Sequence, residues 1–600
     1  MRQPAASSTS RSARAGQRAR KRRSGADSAL SAANPLLAVR LPAWRSRMLL
    51  FALFCGFVAL AGRAFYLQGG LSTQFLQRQG EARYARTLDV AATRGVITDR
   101  NGVVLASSVP ARSIWAIPED VETGKHELAQ LAQLLDIPAG ELRRRLTADA
   151  RSFVYLKRQV APEIAQRIES FNLTGIHSSR EFRRLYPEGA ITAQLLGFTD
   201  VEDRGQDGVE LAFERTLGGR PGLRRLIKDR LGRAVEDDWV REPVEGRDVR
   251  LSIDNRIQYI AFSALQSAVR ANQAQGGSVV VLDVASGQIL ALTSWPSFDP
   301  SRRDRMEPEH LRNRAVTDTF EPGSTIKPFS IATALEAGLV TPQTTIDTSP
   351  GSMRIGGHTI SDTSSHGVLT VEQVVAKSSN VGTAKIALQL PAQALWDTLT
   401  AVGFGQAPHA GLTGAVTGRL RPPETWRPIE QATIAYGYGV SVSLLQLAHA
   451  YLVFARDGDL VPVSVMSSEA PAPAVRVLEP QTAQAVRRML EAAVSEEGTA
   501  ASARVPGYQV AGKTGTARKL RDGRYTDAYV ASFVGFAPAT NARVVIAVMI
   551  DEPRAGHYYG GEVAAPVFSQ VAAGTLRELQ VAPQGQALAL AAGDPVNRLP

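Results

Sequence analysis

Twenty residues, Met48 to Leu67, are apolar except for Arg63 near the far end. A run of that length is what a helix needs to cross a bilayer, so it divides the chain into a short piece and a long one on opposite sides. The short piece, residues 1–47, carries eleven Arg and Lys (Arg2, Arg11, Arg14, Arg18, Arg20, Lys21, Arg22, Arg23, Arg40, Arg45, Arg47) against Asp27 alone. Basic residues beside a span stay on the cytoplasmic side, which predicts a cytoplasmic N-terminus and an exported body from about residue 68, with Arg63 snorkelling to the interface. A cleaved signal peptide is the competing reading, because Ala59-Leu60-Ala61 resembles a small-residue cleavage site. The basic tail is long for one.

Ten of the eleven net positive charges of this 600-residue chain lie in that tail. The high isoelectric point therefore does not describe the body, and a nucleic-acid partner is not expected. The one cysteine, Cys55, is inside the apolar run, so the body has neither disulfides nor thiolate chemistry. The eight histidines show no HExxH-like spacing. No metal and no cofactor are expected, and His366, beside a glycine, reads as a loop residue.

The body is expected to be α+β in two domains, residues 68–245 and 246–580, between a disordered basic tail (1–47), the span (48–67) and an Ala/Gly/Pro-rich tail (581–600). In the first domain, Arg94 to Ala106 alternates and turns at Asn101-Gly102, a hairpin signal. A helical stretch follows from Lys125 to Leu146, then Pro and Gly punctuation at Arg183-Arg184-Leu185-Tyr186-Pro187-Glu188-Gly189. No nucleophile-and-base set is visible there, which makes it a structural or partner-binding module. From residue 246 the pattern gives strands at Val249–Ile253, Gly277–Leu282 and Gly287–Leu292, with a helix over Gln258–Val269. Helical runs extend from Ser324 to about Ala455, interrupted by loops at 341–367 and 402–430. Strands return at Tyr508–Ala511, Ala528–Phe536 and Arg543–Ile550, before a closing helix at Val563–Leu579. Strands at both ends with helices between predict a mixed, mainly antiparallel sheet covered by helices.

Three short motifs in the second domain carry the chemistry. Glu321-Pro322-Gly323-Ser324-Thr325-Ile326-Lys327-Pro328 places Ser324 and Lys327 three apart, on one face of a helix whose first turn accepts Pro328. A lysine in a dry cleft can lose its proton and then deprotonate the serine. Lys377-Ser378-Ser379-Asn380-Val381-Gly382 lies at a junction between helical runs, and Ala511-Gly512-Lys513-Thr514-Gly515-Thr516-Ala517 closes the strand that begins near Tyr508. Alone, each motif reads as a surface helix, a cap or a strand end. Together and in this order they form the serine, Ser-x-Asn and Lys-Thr-Gly set of penicillin-recognising acyl transferases.

In an acyl-transfer cleft each residue has a task. Ser324 attacks a carbonyl, Lys327 takes its proton and Ser378 relays protons to the leaving or entering amine. Asn380 donates its amide to a substrate carbonyl. Lys513, Thr514 and Thr516 receive a substrate carboxylate, and Gly515 allows the ligand backbone close to the strand. The backbone N–H groups of Ser324 and Thr516 hold the oxyanion.

The stretches RGVITDRNGVVLA (94–106), RRLYPEGAITAQLLGF (183–198), EPGSTIKPF (321–329), AKSSNVG (376–382), AYGYGVSVSLLQLAHAY (435–451), AGKTGTARK (511–519) and YYGGEVAAPVF (558–568) resemble a class B penicillin-binding protein over roughly residues 45–580. The AYGYG and YYGG segments resemble the division-associated type, the septal peptidoglycan D,D-transpeptidases. The resemblance implies a cytoplasmic tail, one anchor in the inner membrane, a non-catalytic pedestal of the dimerisation type and a penicillin-binding transpeptidase domain outside the membrane. It also implies stem peptides ending in D-Ala-D-Ala as donors, β-lactams as inhibitors that acylate the same serine, and a membrane glycan polymerase and other division proteins as partners.

Other functions share parts of this pattern: an elongation-type transpeptidase, a D,D-carboxypeptidase, a β-lactamase, or a non-enzymatic β-lactam sensor or assembly scaffold. A β-lactamase needs a water-activating base, for which no glutamate can be placed, and its middle motif is Ser-Asp-Asn rather than Ser-Ser-Asn. A sensor needs a cytoplasmic signalling domain, which residues 1–47 do not resemble.

Overall fold

The computed structural model describes residues 42–68, 85–122, 124–147, 153–228, 234–470 and 473–584. The two tails expected over 1–47 and 581–600 lie outside the described residues, apart from 42–47 and 581–584. Residues 43–47 already belong to the apolar helix, Ala43–Gln68. Gln584 donates its N–H to the Gly507 carbonyl at 2.9 Å, so the ordered chain runs a few residues past 580.

Two compact units are distinguished: residues up to 86 with 226–237, and residues 87–225 with those from 238 onward. The first contains the 26-residue helix Ala43–Gln68. At 1.5 Å per residue it is about 39 Å long, more than the ~30 Å hydrocarbon thickness of a bilayer. An 18-residue window within Ala43–Tyr66 has a mean hydropathy of 2.0, and by length and composition this helix can cross a membrane.

In the second unit the Asn-Gly hairpin forms, with Ile97 opposite Ala106 and Thr98 opposite Val104. Its loop is longer than the two residues that Asn101-Gly102 suggests, because Asp99 closes it. The Asp99 Oδ1 accepts the N–H groups of Asn101 and Val103 at 2.7 and 2.8 Å. The following strand, Val104–Ala116, pairs antiparallel with Val154–Val160 and Ile176–Leu185. The single helix expected over Lys125–Leu146 is two, Lys125–Leu134 and Ala139–Thr147. The break falls where Asp136 takes φ +50° just ahead of Pro138, and neither residue can continue a helix.

Arg94 of the motif at 94–106 and Arg184 and Tyr186 of the motif at 183–198 meet in a buried ion network. Arg94 Nε and Arg184 Nε grip the two oxygens of Glu210 at 2.6 and 2.7 Å, and the Tyr186 hydroxyl donates to the same carboxylate at 3.3 Å. All four side chains are almost wholly buried. Removing one partner of such a cluster leaves an uncompensated buried charge, so its role is to lock the two motifs together.

Only Val249 and Arg250 of the strand expected over Val249–Ile253 pair regularly, parallel to Ile97–Thr98. The chain then turns, and Asp254 caps the helix Asn255–Ala271 by accepting the N–H of Arg256. The central sheet has five strands: β1 Gly276–Asp283, β2 Ile289–Trp295, β3 Ala511–Arg521, β4 Arg524–Ala537 and β5 Val544–Asp551. Their order is β2-β1-β5-β4-β3. Every pairing is antiparallel, so the sheet is not mixed. β1 and β5 are buried at every residue, as central strands covered on both faces must be. One face packs on Asn255–Ala271 and the closing helix Ala565–Glu578. The other packs on Leu444–Ala455, of whose twelve residues only His449 is not buried.

The loop expected over 341–367 contains a hairpin, Ser352–Ile355 with His358–Ser361, turned by Gly356-Gly357. It delivers Asp362 to the site.

Candidate active site

Ser324 does not lie in the α-helix itself. It sits in a tight 3₁₀ turn, Gly323–Ile326, which hands over to the helix Lys327–Glu336 with Pro328 in its first turn. Gly323 has φ +54°, a conformation that glycine adopts without penalty. Lys327 is fully buried, and its Nζ donates to the Ser378 carbonyl and, at 3.2 Å, to the Ser378 hydroxyl. Burial first, then the nearby Lys513 charge, holds the Lys327 amine well below the ordinary lysine range, with Asp362 acting weakly the other way. A neutral amine has two hydrogens for those two bonds and one lone pair left to accept a proton.

Ser378 is held at φ +60°, an uncommon conformation for a residue with a side chain. It lies between the end of the helix Val371–Ala376 and Ser379, the N-cap of Asn380–Ala387. Asp362 holds this junction. It accepts the Ser379 hydroxyl at 2.6 Å, the Val381 N–H at 3.0 Å and the Asn380 N–H. A carboxylate at a helix N-terminus is favourably placed. The Asn380 amide donates one hydrogen to the Ser361 carbonyl at 2.8 Å and keeps a second.

The Lys-Thr-Gly motif does not close its strand; it begins it, at the start of β3. The strand expected from Tyr508 begins three residues later, at Ala511, because Tyr508 closes a turn by donating its N–H to the Val505 carbonyl at 3.1 Å, with its hydroxyl held by the Val581 carbonyl at 2.6 Å. Lys513 is fully buried, and burial lowers its pKa to about 7. Thr514 Oγ1 lies 3.2 Å from Thr499 Oγ1. Thr516 accepts the Gly560 N–H at 3.0 Å, which leaves its own proton to donate. Gly515 serves a purpose beyond the one expected: a Cβ there would stand 2.7 Å from the Pro322 carbonyl and 3.0 Å from the Thr325 methyl. The glycine lets the turn that holds Ser324 pack close against the strand, and Gly323 in turn lies against the Thr516 backbone. The turn that holds Ser324 thereby lies against Gly515 and Thr516, while Lys327 bonds Ser378 and feels the Lys513 charge.

Residues 277–573 match the penicillin binding protein transpeptidase domain, and residues 89–251 the penicillin-binding protein dimerisation domain. The chain is 42% identical over 545 residues to a probable peptidoglycan D,D-transpeptidase, PenA, of Neisseria gonorrhoeae, covering 90% of this chain and 93% of that one. The chain belongs to the penicillin-binding protein transpeptidases. Peptidoglycan D,D-transpeptidase FtsI of Escherichia coli is 41% identical over 556 residues, with 91% and 93% covered. Among solved structures of the family, the transpeptidase domain of Burkholderia pseudomallei penicillin-binding protein 3 is 47% identical, with a TM-score of 0.52 over 56% of this chain and 97% of that one. Penicillin-binding protein 3 of Mycobacterium tuberculosis, in complex with aztreonam, is 30% identical, with a TM-score of 0.65 over 83% and 98%.

Within this family fold, two residues outside the three motifs, Asp362 against the Ser-Ser-Asn junction and Tyr451 against the Thr325 carbonyl, carry no signal in the sequence that singles them out. Asp362 is 17 residues before Ser379, with the strand Val368–Thr370 and the helix Val371–Ala376 between them, a separation that no local spacing rule covers. Tyr451 ends the stretch 435–451, where its helical, apolar surroundings read as core.

Proposed function

We propose that this chain is a membrane-anchored peptidoglycan D,D-transpeptidase that cross-links stem peptides during division, with Ser324 as nucleophile and Lys327 as its base. The observation that carries the reading is Lys327: a fully buried amine, favoured neutral, in the same turn as Ser324 and bonded to Ser378. Ser324 Oγ attacks the carbonyl of the penultimate D-alanine while its proton passes to Lys327. The resulting oxyanion lies between the backbone N–H groups of Ser324 and Thr516, each such donor being worth about 3 kcal/mol. The proton is delivered through Ser378 to the departing D-alanine, leaving an ester on Ser324. An acceptor amine then attacks the ester, loses its proton by the same route and restores the serine. Asn380 holds the donor peptide, and Lys513, Thr514 and Thr516 hold its terminal carboxylate. β-Lactams acylate the same serine. Mass spectrometry of penicillin-treated protein tests this directly: the adduct is expected on the peptide containing Ser324, and an adduct elsewhere rejects the assignment.

The division role is supported by the AYGYG and YYGG segments and by the similarity to FtsI of E. coli. A membrane glycan polymerase and other division proteins are the partners that fit it. The basic residues 1–47 support a cytoplasmic N-terminus and an exported body, with residues 68–245 as pedestal and 246–580 as the catalytic domain. Protease added to spheroplasts is expected to digest the body and spare an N-terminal tag; loss of the tag with an intact body would reverse the orientation.

Lys513 offers a test with a sign. Its folded pKa of about 7 lies below the ordinary 10.5, so between those values the unfolded chain binds one proton more than the folded one. Stability therefore rises with pH across that window, by about 1.4 kcal/mol per pH unit, and is lowest below pH 7, where the buried amine is charged. Urea midpoints measured from pH 6 to 10 are expected to rise less steeply in Lys513→Met than in the parent. The same variant should acylate more slowly with carboxylate-bearing penicillins. An unchanged rate removes Lys513 from carboxylate binding.

A further inference from the structure

Tyr451 lies on the helix Leu444–Ala455 with no exposed surface, and its hydroxyl donates to the Thr325 carbonyl at 2.8 Å. Thr325 directly follows Ser324 in the 3₁₀ turn. The i+3 donor for that carbonyl would be residue 328, which is proline and has no N–H, so the Tyr451 hydroxyl takes its place. A 3₁₀ turn has poor hydrogen-bond geometry by itself, and this one is secured from outside.

The rest of the turn's surroundings point the same way. Gly323 donates its N–H to the Gly437 carbonyl at 3.1 Å, and the Ser330 hydroxyl donates to the Ala435 carbonyl at 2.8 Å, fixing the turn's two flanks. Tyr451 is the side chain that reaches the turn itself from the helical layer. Its ring packs edge-on against Phe329 at 5.5 Å. Phe329 is two residues after Lys327, so ring and hydroxyl together hold both ends of the Ser324–Lys327 segment. Burial raises the Tyr451 hydroxyl well above its ordinary pKa, which keeps it a donor throughout the working pH range.

We propose that Tyr451 is a positioning residue for acylation, its hydroxyl fixing the backbone turn that aims Ser324 and holds it in register with Lys327. The proposal rests on the assignment of Ser324 as nucleophile. A displacement of about 1 Å in a reacting group can lower a rate 10²-fold, and loss of one anchoring bond should cost part of that.

The test compares Tyr451→Phe with Phe454→Leu, which loosens the same ring cluster without removing the bond to Thr325. Rapid-mixing kinetics with a fluorescent penicillin separate the non-covalent dissociation constant from the first-order acylation constant, and melting temperature reports folding. In Tyr451→Phe the acylation constant is expected to fall about 10-fold with the dissociation constant unchanged. Phe454→Leu is expected to melt at least as far below the parent while acylating at the parental rate. Parental acylation in Tyr451→Phe overturns the proposal, as does equal slowing in Phe454→Leu, which would make the effect one of stability. Mass spectrometry of each adduct separates this failure from the other: an adduct away from Ser324 rejects the nucleophile, whereas an adduct on Ser324 formed at the parental rate rejects only the role of Tyr451.

Discussion

Ser324→Ala is expected to abolish covalent labelling by a fluorescent penicillin while leaving the melting temperature close to that of the parent. The hydroxyl is a single small group in a turn whose shape is set by Gly323, Pro328 and the packing of Gly515 against Pro322, none of which the substitution touches. What disappears is the only atom proposed to form the acyl bond. Gel fluorescence after saturating exposure measures it, with the peptide assignment by mass spectrometry as a second readout. Stoichiometric labelling of the alanine variant would reject Ser324 as nucleophile, and with it the mechanism.

Lys327→Met should have the next largest effect. General-base contributions run from 10² to 10⁴-fold, and acylation is expected to slow by about 10³-fold. Methionine keeps the unbranched length, so the variant folds; it removes a buried amine whose desolvation is unfavourable, and stability should not fall far. The pH profile separates base from scaffold. Because burial and the Lys513 charge depress the Lys327 pKa, parental acylation should rise as that amine deprotonates, at a pH below the ordinary 10.5. In Lys327→Met that limb is expected to vanish. If the variant keeps both rate and profile, the proton goes elsewhere.

Much of the site is legible along the chain. The order serine, Ser-x-Asn, Lys-Thr-Gly points to the residues proposed for it, because acyl transfer restricts which side chains can serve as nucleophile, base, relay and carboxylate receptor. Boundaries are less legible. The local pattern puts Lys513 at the end of a strand, whereas it lies at the start of one, since the turn at Tyr508 is fixed by a contact with Val581, more than seventy residues away. The helix expected over Lys125–Leu146 is broken at Asp136 by a backbone conformation that its periodicity does not disclose.

By itself the sequence determined the apolar helix of membrane-crossing length, the division of charge between tail and body, the α+β pattern and which residues are proposed as the reacting groups. These follow from composition and local spacing, which are written along the chain. Only the tertiary structure decided that Lys327 is buried against Ser378, that Asp362 holds the Ser-Ser-Asn junction, that Gly515 admits the nucleophile's own turn, and that Tyr451 reaches the Thr325 carbonyl. Each of these depends on segments far apart in the chain meeting within hydrogen-bond distance, and on the loss of water that shifts an amine's pKa. Neither is a property of any one stretch of residues.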